Sequence, residues 1–177
     1  ASFGVPAILS TGVSTLGDIE RAWHIVGPST ALLHCVTSYP APEAEYNVRV
    51  IPNLAAIFGV TVGVSDHSLD PVLVPALATS LGASIVEKHF TLNRALPGTD
   101  HAFSLEPAGL RKMVRDLRRT KDALGDGVKR RYESESKPSS TSWAPMNRQP
   151  WNATRRKRAF LVLGTLETCP TTCRTAS

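Results

Sequence analysis

The chain has 177 residues, of which 42% are hydrophobic and 20% charged, the balance of a globular protein with one core, which excludes fibrous and wholly disordered classes. No apolar run approaches the roughly 18 residues of a membrane span, and the opening ASFGVPAILS lacks the basic lead of a secretion signal, so a cytoplasmic protein with no membrane partner is expected. The net charge of +5 is unevenly placed: residues 1–127 hold ten Lys/Arg against twelve Asp/Glu, whereas residues 128–177 hold ten against three.

Taken in chain order, Val5 to Thr11 is a short apolar run of the length of a buried parallel strand. Thr15 then precedes LGDIERAWHIV, in which Leu16, Ile19, Trp23 and Val26 recur at helical spacing and Asp18 and Glu20 fall in the first turn, where the helix dipole favours negative charge. The alternation repeats. Ala31 to Cys35 reads as a strand, YPAP breaks the chain, and Val48 to Phe58 reads as a helix that Pro52 interrupts or restarts. Thr61 to Asp66 is a third strand, followed by the apolar helix PVLVPALATSLG with Pro71 at its start. Ser84 to Phe90 is a fourth strand, and after the PGTDHAFS loop Pro107 opens a helix whose apolar face is Leu110, Met113, Val114, Leu117 and Leu124.

Beyond Gly127 the composition turns to Ser, Pro, Arg and Asn without a sustained period, which predicts a mostly disordered tail. The short run AFLVLG is its one apolar stretch. The tail's basic excess can attract polyanions, but a solvated segment is the plainer reading and nucleic acid is not an expected partner. Cys35, Cys169 and Cys173 do not form the even, spaced framework of a secreted disulfide fold, and no His follows Cys173 to complete a zinc site.

Strands separated by helices run parallel, and four such units make either half of an eight-fold barrel or a small open doubly wound sheet. The predicted class is therefore α/β: half of a TIM-type (β/α)8 barrel over residues 1–127, with an irregular basic tail over 128–177. Ser10, Thr37, Tyr39, Ser65, His67, Glu87 and His89 all fall at or just past the carboxyl ends of the predicted strands, the face on which parallel barrels build active sites. His67 and His89 are 22 positions apart, about one strand–helix unit, so their imidazoles can meet at one divalent ion; each can equally cap a strand or satisfy a core hydrogen bond. Two histidines completed by water and substrate oxygens suit manganese or another borderline cation. Alternation puts Glu87 on the same side as His89, with Lys88 opposite; Glu87 then either serves substrate or forms a buried ion pair. Ser10, Thr37 and Ser65 are short hydroxyls suited to phosphate oxygens. Asp100 can hold a hydroxyl or simply make its turn.

In order, ILSTG (8–12), LLHCVTSYPAP (32–42), VGVSDHS (62–68), GASIVEKHFTLNR (82–94) and LPGTDHAFSLEP (96–107) resemble the sialic acid synthase family, which includes spore-coat polysaccharide, pseudaminic and legionaminic acid synthases. The resemblance covers about residues 1 to 130. It implies the later four units of a metal-dependent barrel that condenses phosphoenolpyruvate with N-acetylmannosamine or a related amino-sugar aldehyde, giving a nine-carbon 2-keto acid and phosphate. By the same resemblance His67 and His89 are metal ligands, with manganese the expected ion and magnesium or cobalt as alternatives. Ser10, Ser65 and, less closely matched, Thr37 contact phosphoenolpyruvate; Tyr39 lies near the amino sugar; Glu87 and Asp100 hold or polarise it. The family's earlier barrel half, and the antifreeze-like domain that builds its domain-swapped homodimer, have no counterpart in this sequence. The swapped dimer is therefore not expected, and the isolated chain is expected to lack turnover, either as one part of a synthase or as a truncated or frame-shifted remnant of one.

Overall fold

Four short strands follow one another across a single sheet. The computed structural model describes residues 5–136, and the expectations for the later tail, including AFLVLG, Cys169 and Cys173, lie outside the described residues. The chain divides between Lys129 and Arg130; past that point Glu133–Ser136 form a 3-10 turn. Before it, the elements run β1 (Ala7–Ser10), α1 (Leu16–Val26), β2 (Thr30–Cys35), α2 (Val50–Phe58), β3 (Val62–Asp66), α3 (Leu73–Ser80), β4 (Val86–Lys88) and α4 (Pro107–Leu124). No helix among the described residues is long and apolar enough to cross a membrane.

The sheet order is β1-β2-β3-β4 and every pairing is parallel. An open doubly wound sheet reverses direction at a switch point and carries helices on both faces. Here the order never reverses, and one face carries the helical layer: Leu32, Val62 and Val64 of the strands pack with Ile19, Ile51, Leu54, Val74 and Ala78 of the helices. On the opposite face Ile8, in the first strand, is 59% exposed, while Leu33 in the second is fully buried. This is the half-barrel arrangement, and the doubly wound alternative is excluded.

The sequence explains the local starts and stops. Thr15 caps α1 through a reciprocal box: its hydroxyl accepts the Asp18 N–H, and the Asp18 carboxylate accepts the Thr15 N–H at 2.9 Å. Of the predicted α1 face Ile19 is buried, whereas Leu16 is exposed. Pro52 sits in the first turn of α2, where a missing N–H costs no intrahelical bond, so it starts the helix rather than interrupting it. Pro71 lies before α3, not in it; the start is carried by Asp70, whose Oδ1 accepts the N–H groups of Val72 at 2.6 Å and Leu73 at 2.7 Å. Pro107 opens α4 as expected. Met113 is buried on that helix, but Val114 and Leu124 are exposed, because α3 is the helix it packs against.

The fourth strand is shorter than its apolar run. Its ladder ends at Lys88, so His89 lies just beyond it. The chain then passes to a new partner: Leu105 N–H donates to His89 O and Thr91 N–H to Leu105 O, each at 2.8 Å. Gly63 allows the central strands to close up. A Cβ there would stand 2.4 Å from Ile85 O and 2.7 Å from the Leu33 side chain, so Leu33 lies over a position where only hydrogen fits.

Candidate active site

The carboxyl ends of the four strands converge on an open cleft of about 280 Å³. Seven of the eight residues singled out in the sequence line it: Ser10, Thr37, Tyr39, Ser65, His67, Glu87 and His89. Strand register explains why. Ser65 pairs with Glu87 and Cys35 with Ser65, so side chains of alternate residues reach the same height on adjacent strands. A larger cavity of about 500 Å³ between α3, β4 and α4 has Arg118 and Lys121 as its ionisable lining groups and no such convergence.

His67 is held at three points. Its Nδ1 lies 2.7 Å from Val36 O; a carbonyl only accepts, so Nδ1–H is the donor and Nε2 is turned to the cleft. Its peptide N–H donates to the Tyr46 hydroxyl at 2.6 Å, and its C=O accepts from Ala41 N–H at 3.0 Å. Nε2 faces Ser65 Oγ at 3.2 Å, while that hydroxyl donates to Glu87 Oε1 at 2.7 Å. Ser65 Oγ thus sits between the His67 imidazole and the Glu87 carboxylate.

His89 stands next to His67, with ring centroids 5.4 Å apart and planes near perpendicular. A metal–nitrogen bond of about 2.1 Å puts a cation about 3.2 Å from each imidazole centre, so this separation lets both rings reach one ion. Asp100 is not among the cleft-lining residues; its carboxylate is 59% exposed and 3.6 Å from His89 Nδ1, beyond hydrogen-bond distance. No cluster of three or more His, Cys, Asp or Glu suited to a metal occurs among the described residues, so a cation bound to the two rings takes its remaining ligands from water or substrate. The donor set, two imidazoles with a hydroxyl and a carboxylate beside them, fits a borderline divalent ion.

Aromatic rings form one wall. Tyr39 lies 4.3 Å from His67 and 5.7 Å from His89, centroid to centroid. Phe103, not anticipated from sequence, is 5.3 Å from Tyr39 and 5.1 Å from His89; it arrives from the 3-10 turn His101–Phe103, whose approach no local pattern signals. Gly12 and Cys35 also line the cleft without having been singled out by sequence. Strand alternation does point to Cys35, because it stands two positions before Thr37 on the same side of its strand. Gly12 is fixed by contact: a Cβ there would come 2.1 Å from Thr37 Oγ1 and 2.7 Å from Cys35 Sγ. Burial pushes the Cys35 thiol above the ordinary thiol range, against hydrogen bonding from Thr37 and the Gly12 backbone. It therefore stays a neutral thiol and is a poor nucleophile.

The opposite side of the same strand ends holds a buried polar group. Lys88, on the side predicted for it, donates from Nζ to Asp66 Oδ2 at 2.6 Å, and the two side chains are 3% and 0% exposed. Thus the buried ion pair considered for Glu87 belongs to its neighbour, and Glu87 itself meets Ser65. The Tyr46 hydroxyl donates to Asp66 Oδ1 at 2.7 Å. Burial first, then the Asp66 carboxylate, raise its pKa well above the usual phenol range.

Comparison with known proteins agrees with this geometry. The NeuB family model matches residues 1–129. The spore coat polysaccharide biosynthesis protein SpsE of Bacillus subtilis is 42% identical over 128 residues, 70% of this chain and 34% of that protein. An N,N'-diacetyllegionaminic acid synthase of Campylobacter jejuni is 41% identical over 136 residues, 73% of this chain and 40% of that protein. The crystal structure of an N-acetylneuraminic acid (sialic acid) synthetase from Leptospira borgpetersenii, in complex with citrate, superposes with a TM-score of 0.67 at 38% identity, covering 75% of this chain and 47% of that one. The chain spans less than half the length of these relatives. With the family model covering the whole half-barrel and the strand-end motifs converging on one cleft, the chain belongs to the NeuB family.

Proposed function

We propose that this half-barrel supplies the cation-binding and phosphate-binding side of a synthase site. The reaction joins phosphoenolpyruvate, water and N-acetylmannosamine or a related amino-sugar aldehyde into a nine-carbon 2-keto acid and releases phosphate. The observation that carries the reading is the convergence of two imidazoles, His67 and His89, with ring centroids 5.4 Å apart, on a cleft that also holds the linked pair Ser65 and Glu87. The synthases among the chain's relatives support the class of reaction.

A divalent cation, manganese first and magnesium or cobalt as alternatives, would be held by His67 and His89 and would supply Lewis-acid polarisation of a carbonyl oxygen. The chain's own groups do the rest. Ser10 and Thr37 offer hydroxyl donors to phosphate oxygens at the carboxyl ends of neighbouring strands, and Ser65 would join them when its proton turns from Glu87 to the phosphate. Glu87, held by Ser65 at 2.7 Å, accepts a sugar hydroxyl. Tyr39, 48% exposed, presents a flat amphipathic face to the sugar, and the exposed Asp100 carboxylate beside His89 would accept a sugar hydroxyl.

The test is titration of the purified chain with Mn²⁺, reading loss of the free-ion electron spin resonance signal. Saturable binding at one site, abolished by His67→Ala and by His89→Ala, is expected; binding that survives both substitutions refutes the site. A second reading is a remnant that keeps the site without turnover. Adding an amino-terminal half-barrel from a relative separates the two. Phosphate release from phosphoenolpyruvate and N-acetylmannosamine then identifies a synthase component, and none identifies a remnant.

A further inference from the structure

We infer that Asp66, Lys88 and Tyr46 are positioning residues that hold the His67 and His89 rings at one height, an inference that rests on the cation-site reading above for its purpose but not for its geometry. The three lie on the side of the sheet away from the cleft, and each is tied to a cleft residue through the backbone. Asp66 stands between Ser65 and His67, and Lys88 between Glu87 and His89. The Tyr46 hydroxyl accepts the peptide N–H of His67 itself.

Register is the quantity at stake. The fourth strand is held to the third by three rungs, Val64 to Val86, Ser65 to Glu87 and Asp66 to Lys88. A slip by one residue would turn every side chain to the wrong face, and the apolar pattern forbids it. A slip by two preserves the faces, and so hydrophobic burial opposes it only weakly. It would nevertheless move Lys88 about 6.6 Å along the strand and take Nζ out of reach of Asp66, so the ion pair selects the one register in which the two imidazoles meet.

The same ammonium also clamps the loop after the third strand. It donates to Ser68 O at 2.5 Å, Ser68 Oγ at 3.3 Å and Asp70 O at 3.2 Å. On its other oxygen Asp66 accepts the Tyr46 hydroxyl and the Ser68 N–H, at 2.7 and 2.8 Å. Each link is directional. A buried ion pair is a weak source of stability compared with packed apolar side chains, and its directional content is what an apolar pair in its place would lack.

The experiment uses the metal-free chain with isotopically labelled histidine, comparing Tyr46→Phe and the isosteric Asp66→Asn with Leu54→Ala, a core truncation in the second helix. The readouts are the nuclear Overhauser effect between the His67 and His89 ring protons and, separately, Mn²⁺ affinity. Tyr46→Phe and Asp66→Asn are each expected to weaken the Overhauser effect and to lower Mn²⁺ affinity at least tenfold, in the range of other supporting-shell substitutions. Leu54→Ala is expected to lower stability while leaving both readouts unchanged. The inference is overturned if a folded Tyr46→Phe or Asp66→Asn chain keeps the wild-type ring proximity and affinity. It is equally overturned if Leu54→Ala disturbs the rings as much, or if the wild-type rings give no Overhauser effect. Should Tyr46→Phe and Asp66→Asn separate the rings in a protein that binds no Mn²⁺ in any form, the positioning role stands and the cation reading falls instead.

Discussion

Replacing Lys88 by Met removes the only cation facing the Asp66 carboxylate in the described residues while keeping most of the side chain's length. Both partners are almost completely removed from water, at 3% and 0% exposure, so solvent cannot take over. Asp66 would retain two donors, the Tyr46 hydroxyl and the Ser68 N–H, and the carbonyls of Ser68 and Asp70 would each lose a partner. Breaking a buried pair from one side costs about 3–5 kcal/mol, because it strands a charge. With a denaturant slope of about 2 kcal/mol per molar urea for a small domain, the midpoint should fall by roughly 2 M in a far-ultraviolet circular dichroism titration. Adding Asp66→Asn to Lys88→Met removes the stranded charge and should recover a large part of that loss. A fall of less than about 1 kcal/mol for the single variant, the range of exposed pairs, would refute the view that this pair is desolvated and structurally required.

Two further substitutions probe independent features. Asp70→Ala removes the acceptor that starts the third helix and should cost about 1 kcal/mol at neutral pH, the range of an N-terminal cap. Hydrogen bonds from the Leu73 and then the Val72 backbone hold the Asp70 carboxyl below the usual range, and a depressed folded pKa means that the ionised form stabilises the fold. The difference between wild type and variant should therefore be full above about pH 4 and shrink as pH falls through the lowered folded value; equal sensitivity to acid in both proteins would contradict the cap. Gly63→Ala forces a methyl against Ile85 O and the Leu33 side chain and should cost about 1–3 kcal/mol by overpacking, measured in the same urea titration; a neutral result would mean that the second and third strands can separate without penalty.

Alternation along the strands carried most of what the sequence could reveal. It put Glu87 with His89 and Lys88 opposite, and the length of one strand–helix unit put His67 beside His89. It could not tell the barrel half from an open sheet until the order β1-β2-β3-β4 was known, because a local apolar run says nothing about its neighbours. The partners of the outward-facing residues were out of reach for the same reason. That Lys88 points away from the cleft is a matter of period two, but that it meets Asp66, and that Tyr46 reaches Asp66 from twenty residues earlier, depends on how the strands and loops are brought together. Phe103 entered the site from a 3-10 turn without any repeating pattern. The shortening of the fourth strand has a similar cause: the apolar run to Phe90 continues, but its later residues bond to Leu105 rather than to the third strand.

That shortening makes the cleft sensitive to a distant stretch of chain. His89 is carried past the end of the ladder and held by Leu105 through its carbonyl, with the exposed Asp100 carboxylate 3.6 Å from its ring, whereas His67 is anchored within the sheet's own framework. One imidazole is thus mounted on the chassis and the other on an adjustable arm, so substitutions at the exposed Thr99 and Asp100 can retune the distance between the rings while the strands stay as they are.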